Sequence, residues 1–505
     1  MRIFETLRKI KNQLFCFRKK KAALYPNSAR FNSGTLIIGQ PGMGKSKLIE
    51  SLVLQDIRAG RAGVGMIDIH GDLFRELTWY LAAMVARFPE LARRVVIIDP
   101  TSDWTVSFNP LGAIAGVPQE RLAMFLTDVV ISIWRVDTTQ SPRMVWLLMN
   151  TLVAMADLGL NLLDLPRWLQ DAKWRNNLLP RIHHEAVRNF FKYEFPKSDK
   201  EVRVWIAPLL NKMGGLIFDP DIRPMLSGRS KLNFREVLDR GLILLVHLPK
   251  GILGEANSAL LAAFIVAQLQ KAAMARADSP YRRSFILYLD EFQNYTSPHI
   301  QDILSESRKW GLGVVLAHQF LEQLSPEMRS AVISTTKTII SFRVGYRDAR
   351  TLVPDIFPYP DFLAIEGLSG WEDLALELAN LPPRHFWIRR RGVYVPDKKR
   401  TLDMPDPLLT PGIEANLARL REISGRRYGR RKSHVVRDRA DTEGPRPESL
   451  VASQPLPQRG RQQPEPLVNF AVQSAIVESD GRSGTQPNHL LKGGDGKGDL
   501  DELWN

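Results

Sequence analysis

The chain has 505 residues, 44% of them hydrophobic, and 69 Lys and Arg against 54 Asp and Glu give a formal net charge of +15. That length accommodates two or three domains with real cores, and the charge favours a polyanionic partner, either nucleic acid or an anionic membrane surface. Cys16 is the single cysteine, which excludes an intrachain disulfide and a cysteine-built zinc site and fits a reducing, intracellular compartment.

Residues 1–32 form a basic N-terminal segment. Within residues 1–21, Ile3, Leu7, Ile10, Leu14 and Phe17 fall at helical spacing, and Arg8, Lys9, Lys11 and the run Arg18 to Lys21 supply charge. Such a basic amphipathic helix either lies peripherally on an anionic bilayer or packs on its own domain. Charges interrupt every apolar run here, so no secretory signal is expected. No apolar run along the chain reaches the roughly 18 residues of a membrane-spanning helix; Ala259 to Leu269 comes nearest and stops at Gln270-Lys271.

Residues 33–117 read as α/β. The run Leu36-Ile37-Ile38 predicts a buried strand that Gly39 ends. Gly39, Gly44, Lys45 and Ser46 match G-x-x-x-x-G-K-[ST], and Lys47 to Val53 continue as a helix. Strand, glycine loop and helix are the context of a phosphate-binding loop. The whole loop, Gly39, Gln40, Pro41, Gly42, Met43, Gly44, Lys45, Ser46 and Lys47, is therefore the candidate ATP site. Its backbone N–H groups and helix start would face phosphate oxygens. Lys45 would reach the β- and γ-phosphates, and the Ser46 hydroxyl would ligate Mg²⁺. Val64 to Asp68 and Val95 to Asp99 follow as strands that each end in an acid, with a helix from Phe74 to Arg87 between them. Alternating strands and helices predict a parallel sheet, with ligands gathered at the strand carboxyl ends.

From 118 to 232 helical patterns dominate, over Glu120 to Val136, Arg143 to Leu158, Arg167 to Leu179, His184 to Phe195 and Glu201 to Met213. This predicts an all-helical domain inserted into the α/β domain, with its tryptophans in the core. The α/β pattern resumes over 233–400: strand Leu242 to Val246, helix Glu255 to Ala277, then the strand Phe285 to Leu289 ending in Asp290-Glu291. Downstream of a phosphate loop, that ending has the form of a Walker B segment. Asp290 is the candidate Mg²⁺ ligand and Glu291 the candidate general base. A helix from Pro298 to Trp310, strands over Val314 to Gln319 and Thr338 to Phe342, a helix over Tyr346 to Val353 and a hairpin over His385 to Val395 complete the domain. Gln319, polar at a strand end, is a candidate γ-phosphate sensor. Residues 401–505 are expected to be a largely disordered basic, Pro-rich tail with an acidic end, broken by one helix over Asn416 to Arg426. Arg426, Arg427, Arg430, Arg431 and Lys432 cluster at its start, either to hold phosphates or as a solvated linker.

With both nucleotide motifs placed, the chain from about 33 to 395 resembles the HerA–FtsK superfamily of P-loop ATPases, in particular the type IV secretion coupling-protein branch (TraD, TraG and TrwB-like) and related HerA-like proteins. The resemblance rests on Gly39 to Ser46, Ile67-Asp68-Ile69-His70-Gly71-Asp72, Ile97-Ile98-Asp99-Pro100 with Phe108-Asn109-Pro110-Leu111, Leu289 to Asn294, Leu304 to Gly311, and Ala317-His318-Gln319 with Gln323-Leu324. It implies a RecA-like, mostly parallel sheet carrying the helical insertion, and a hexameric ring with ATP sites between subunits and DNA through its centre. It also implies an arginine from the neighbouring subunit at each site, Arg308 first and Arg343 second. Membrane-bound coupling proteins carry N-terminal transmembrane helices that are not found here. That points to a cytoplasmic protein with peripheral contact at the inner membrane, meeting a relaxase or secretion-channel proteins. Three other readings stay open: a HerA-like motor acting with a nuclease in repair, defence or packaging, a protein-export ATPase, and a DNA-binding scaffold that does not translocate.

Overall fold

A computed structural model describes residues 34–114, 116–227, 231–295, 306–358, 370–393, 395–404 and 410–433, without the side chains of 295, 307 and 308. The basic segment 1–32, most of the helix expected over Pro298 to Trp310, and the end of the tail lie outside the described residues.

In chain order the α/β part begins with β1 (Gly34–Ile38), α1 (Lys45–Ala59), β2 (Gly63–Asp68), α2 (Asp72–Val85), β3 (Val95–Ile98) and β4 (Trp104–Thr105). The helical segment holds α3 (Gln119–Ile133), α4 (Pro142–Asp157), α5 (Leu165–Gln170), α6 (Ala172–Leu178), α7 (Glu185–Asn189), α8 (Asp199–Phe218), α9 (Ile222–Leu226) and α10 (Phe234–Arg240). Then follow β5 (Ile243–His247), α11 (Lys250–Leu253), α12 (Glu255–Met274), β6 (Phe285–Leu289), β7 (Leu312–His318), α13 (Pro326–Thr335) and β8 (Thr336–Ser341). The chain continues through α14 (Tyr346–Ile356), α15 (Trp371–Ala379), β9 (His385–Arg390), β10 (Asp397–Arg400), α16 (Pro411–Tyr428) and β11 (Arg430–Arg431).

Nine strands form one sheet in the order β10-β9-β8-β1-β7-β6-β2-β5-β3. Every neighbouring pair from β3 to β8 is parallel, and β9 and β10 close the other edge antiparallel. The parallel strands are apolar throughout because helices cover both faces. Alternation along each strand splits the core in two. Leu36, Ile38, Phe285, Leu287 and Leu289 point to one face; Ile37, Ile286 and Tyr288 point to the other, where α1 and α2 pack.

The helical segment does not form a core of its own. Leu122, Leu126, Leu148, Trp168 and Phe190 belong to the same continuous cluster as Leu36, Ile38 and α12. Of the tryptophans expected inside, Trp168 is fully buried, Trp134, Trp174 and Trp205 pack partly buried against the cluster, and Trp146 is 43% exposed. Helix α12 is apolar on all sides and is buried on all sides, as its composition requires. With the turn after it, Glu255–Asp278, it is long and apolar enough to cross a membrane, yet 89% of its most apolar stretch is buried within the protein.

Local readings fail in identifiable places. The helix expected over Arg167 to Leu179 is broken by Asp171, whose side chain accepts from Trp174 N–H at 2.8 Å and caps α6 instead. The hairpin ends at β10 rather than at Val395. The helix expected over Asn416 to Arg426, by contrast, is present and extends to the eighteen residues of α16. Its burial depends on partners remote in sequence. Leu420 and Tyr428 are buried, and a Cβ on Gly425 would lie 2.3 Å from the Trp104 ring, so only glycine allows this approach. Ile97 N–H donates to Ser424 Oγ at 2.8 Å, which occupies the otherwise open edge of β3. The basic cluster at this end is largely used within the chain: Arg426 pairs with Glu422 at 2.6 Å, Lys432 with Asp221 at 2.6 Å, and Arg431 lies over Trp104.

Candidate nucleotide site

The carboxyl ends of the parallel strands lie along one edge of the sheet. From β8 across to β3, that edge presents Arg343, Gly39, Gln319, Asp290-Glu291, Asp68, His247 and Asp99 in turn. Neighbouring strands are about 4.8 Å apart. The glycine loop and the Asp-Glu pair are therefore separated by one strand, β7, and Gln319 lies between them.

The loop after β1 is held from both sides. Gln40 N–H donates to Arg343 O at 2.8 Å, and Met43 O accepts from Arg384 N–H at 2.9 Å. Gly44, at φ +102°, turns the chain into α1 and serves as its N-cap, a conformation that a side chain would strain. Lys45, 7% exposed, donates from Nζ to the carbonyl oxygens of Gly39 at 2.5 Å and Gln40 at 3.2 Å. Burial lowers its pKa, and the charges of Glu291 and Asp290 oppose that shift. Ser46 is exposed at the start of the helix.

Asp290 and Glu291 are each 8% exposed. Burial, then the charges of Asp68 and Glu291, push the Asp290 carboxyl up to about 7, with Lys45 pulling the other way. Glu291 takes φ +50°, a left-handed conformation that costs a non-glycine residue about 1 kcal/mol or more. Asn294 holds it there, donating to Glu291 O from both N–H and Nδ2 at 3.0 Å. The carboxylate is gripped at both oxygens: Gln319 Nε2 donates to Oε1 at 2.6 Å and Gln293 Nε2 to Oε2 at 2.5 Å. His318 beneath them is fully buried, its pKa lowered to about 4 by that burial, so the ring is neutral near pH 7.

The site thus assembles a buried amine, a buried carboxylate pair and a polar clamp around one acid. Loop N–H groups, the α1 start and Lys45 suit a polyphosphate. The carboxyls gathered at Asp290 suit a divalent cation beside them, because a cation would offset the burial and, after it, the repulsion that raise the Asp290 pKa. Of the arginine candidates, Arg308 lies outside the described side chains, and Arg343 stands beside the loop of its own chain through its backbone carbonyl.

Two residues of this region, His247 and Arg384, were not singled out from the sequence. His247 ends β5, stacks on Phe74 with ring centroids 4.7 Å apart, and places Nδ1 3.3 Å from Asp99 Oδ1. Burial works against the Asp99 carboxylate, but His247 and Thr101 hold it below its ordinary range. Asp68 accepts from His70 N–H and Phe74 N–H, both at 2.8 Å, and so anchors the start of α2. A polar residue at a strand's carboxyl end is the signal that would have found His247. Arg384 has no such signal. It lies at φ +70°, bonds Leu402 O at 2.9 Å and pairs with Asp403, buttressing the loop from outside.

Lys47, included in the loop by sequence, faces away to α2: Nζ lies 2.7 Å from Glu76 Oε2 and 3.2 Å from Glu50 Oε2. Glu50 is fully buried. Desolvation first, then Glu76, pushes its carboxyl up to about 8 against the pull of Lys47. An acid whose pKa is raised by folding keeps a proton that the unfolded chain has already released. Its contribution to stability therefore falls as pH rises from its ordinary 4.5 through about 8, and the loss is complete above that. Glu50→Gln is expected to melt at a higher temperature than the wild type at about pH 8.5, with the difference shrinking towards about pH 5. A difference in melting temperature that does not change with pH would show that Glu50 is not the titrating group.

No protein-family model matches the sequence, and no curated protein matches it. Among solved structures, plasmid coupling protein TrwB in complex with the non-hydrolysable GTP analogue GDPNP matches with a TM-score of 0.54 at 17% identity, over 77% of this chain and 89% of that one. TrwB in complex with ADP and Mg²⁺ matches with 0.54 at 16%, over 77% and 89%. The trigonal form of bacterial conjugative coupling protein TrwBdeltaN70 in complex with sulphate matches with 0.55 at 16%, over 79% and 94%. The chain has the P-loop NTPase fold of these proteins, as the resemblance read from its sequence implies.

Proposed function

We propose that the chain is an ATPase that translocates DNA, acting as the coupling ATPase of conjugative transfer or type IV secretion in a homo-hexameric ring. The observation that carries the hydrolytic part of this reading is the clamp on Glu291. A carboxylate fixed at both oxygens by Gln319 and Gln293, one strand from a phosphate loop, is built to hold a water and take its proton. A scaffold that only binds nucleotide has no need of it. The shared fold with TrwB supports the coupling role by analogy.

In this reading the loop from Gly39 to Ser46 binds the ATP phosphates, and Lys45 turns from the loop carbonyls to the β- and γ-phosphates. Ser46 and Asp290 would hold Mg²⁺, which when bound neutralises charge on the phosphate oxygens. Glu291 takes the proton of the attacking water. Gln319 bonds Glu291 and sits beside the loop, so a change at the γ-phosphate moves the base and β7 together. Arg308 of a neighbouring subunit is the proposed stabiliser of the charge that develops on the γ-phosphate. The net charge of +15 supplies phosphate contacts with DNA that are indifferent to base sequence. A relaxase or secretion-channel protein is the proposed partner in the wider assembly.

The test is ATP hydrolysis by the full chain with double- and single-stranded DNA. Stimulation is expected, with an apparent DNA affinity that falls at least about tenfold between roughly 50 and 200 mM salt. Hydrolysis indifferent to both DNA forms, in a protein that is shown to be assembled, would favour export of polypeptide instead.

A further inference from the structure

A cavity of about 730 Å³ opens in the helical segment, between α5, α6, α7 and the start of α8. One wall is a π-helical turn, Phe190–Glu194, closed by Phe195 N–H donating to Phe190 O at 2.8 Å. Such turns insert one residue into a helix and are frequent at functional sites. Here the turn directs Phe191 and Lys192 onto the cavity.

Four cations line the space, Arg175, Arg188, Lys192 and Lys197, against one carboxylate, Asp199. Among the described residues none of the four forms an ion pair. Arg175 is the unusual one. It is 5% exposed and stacks over Phe195 at 4.5 Å, and its Nη1 donates to Trp168 O at 2.9 Å and Leu169 O at 3.0 Å. Its Nε has no acceptor. Nε is itself shielded from solvent, but a buried guanidinium without a counter-charge is costly, and an anion in the cavity would offset that charge. Apolar walls from Leu179, Phe191 and Phe195 would cover an apolar side chain next to that anion.

We propose that this cavity docks an acidic polypeptide segment, receiving a carboxylate at Arg175 and an adjacent apolar or aromatic side chain against Phe191 and Phe195. The volume belongs to the size class of small-molecule and short-peptide sites. It does not fit a duplex; a single strand, whose bases stack on aromatic side chains in a basic groove, is the competitor that the oligonucleotide arm of the test addresses. The site goes beyond the ATPase reading and does not depend on it.

The test is fluorescence anisotropy of the full chain with a labelled acetyl-Glu-Phe-Glu-Leu-Glu-Trp peptide, its counterpart with every Glu replaced by Gln, and a labelled single-stranded oligonucleotide. Saturable binding of the acidic peptide is expected, at least about tenfold tighter than its Gln counterpart. Lys192→Glu/Lys197→Glu, both exposed, is expected to weaken it at least about tenfold while leaving ATP hydrolysis unchanged. Arg175→Gln should weaken it further; because that position is buried, the Lys192/Lys197 pair carries the test independently. The proposal is overturned by no saturable peptide binding, by binding that ignores the Lys192/Lys197 reversal, or by a reversal that abolishes oligonucleotide binding and spares the peptide.

Discussion

Glu291→Gln is expected to lower kcat for ATP hydrolysis by about 10²–10⁴-fold, the usual contribution of a positioned general base, with nucleotide affinity held within a few-fold. The substitution preserves the size of a side chain that is 8% exposed, so the fold is expected to survive. It removes the proton acceptor. It also turns one oxygen into an amide nitrogen where Gln319 and Gln293 both donate, so one of the two bonds that fix the group is lost. Binding should be spared because the loop contacts to phosphate come from other strands. The check is steady-state hydrolysis beside direct binding of a fluorescent ATP analogue. A kcat within tenfold of the wild type would mean that another group takes the proton.

Lys45→Ala is expected to fail at both steps, weakening nucleotide binding and reducing hydrolysis by at least about 10²–10³-fold, as for loss of one preorganised donor to developing charge. Lys45 is buried beside two carboxylates, where desolvation strengthens its interaction with a phosphate. Without it, the buried cation that opposes the charge of Asp290 and Glu291 beside the polyphosphate is lost. Arginine should not rescue, because a planar guanidinium does not fit the space in which Nζ reaches Gly39 O and Gln40 O. Circular dichroism of the variant separates loss of the site from loss of the fold. The two substitutions therefore differ in kind, Glu291→Gln acting on kcat alone and Lys45→Ala on binding as well. Retained nucleotide binding in Lys45→Ala would move the phosphate site away from the glycine loop.

Much of this was legible without coordinates, and the reason is local chemistry. A glycine loop between a buried strand and a helix, and an apolar strand ending in Asp290-Glu291, are patterns in which each residue's role depends on its immediate neighbours. The apolar runs of β1, β2, β3, β5, β6 and β7 likewise announce strands covered on both faces, and the long helical patterns announce α3, α4 and α12. The helix over Asn416 to Arg426 was legible, but the full extent and the burial of α16 were not. Its mean composition is basic and polar, and it is ordered by Trp104, Ile97 and the edge of β3, which lie far away in the chain.

The sequence by itself determined the parallel α/β class, the helical segment and the candidate loop, acid and base, because these depend on patterning and spacing within a few residues. Tertiary structure decided the rest. Strand order is a choice among long-range pairings that no local pattern encodes, and it is the placing of β7 between β1 and β6 that sets Gln319 against Glu291. The raised carboxyls of Asp290 and Glu50, the Arg384 buttress and the cavity around Arg175 all arise from burial and from charges brought together by folding. Burial changes the cost of a charge only once distant segments have excluded water from it.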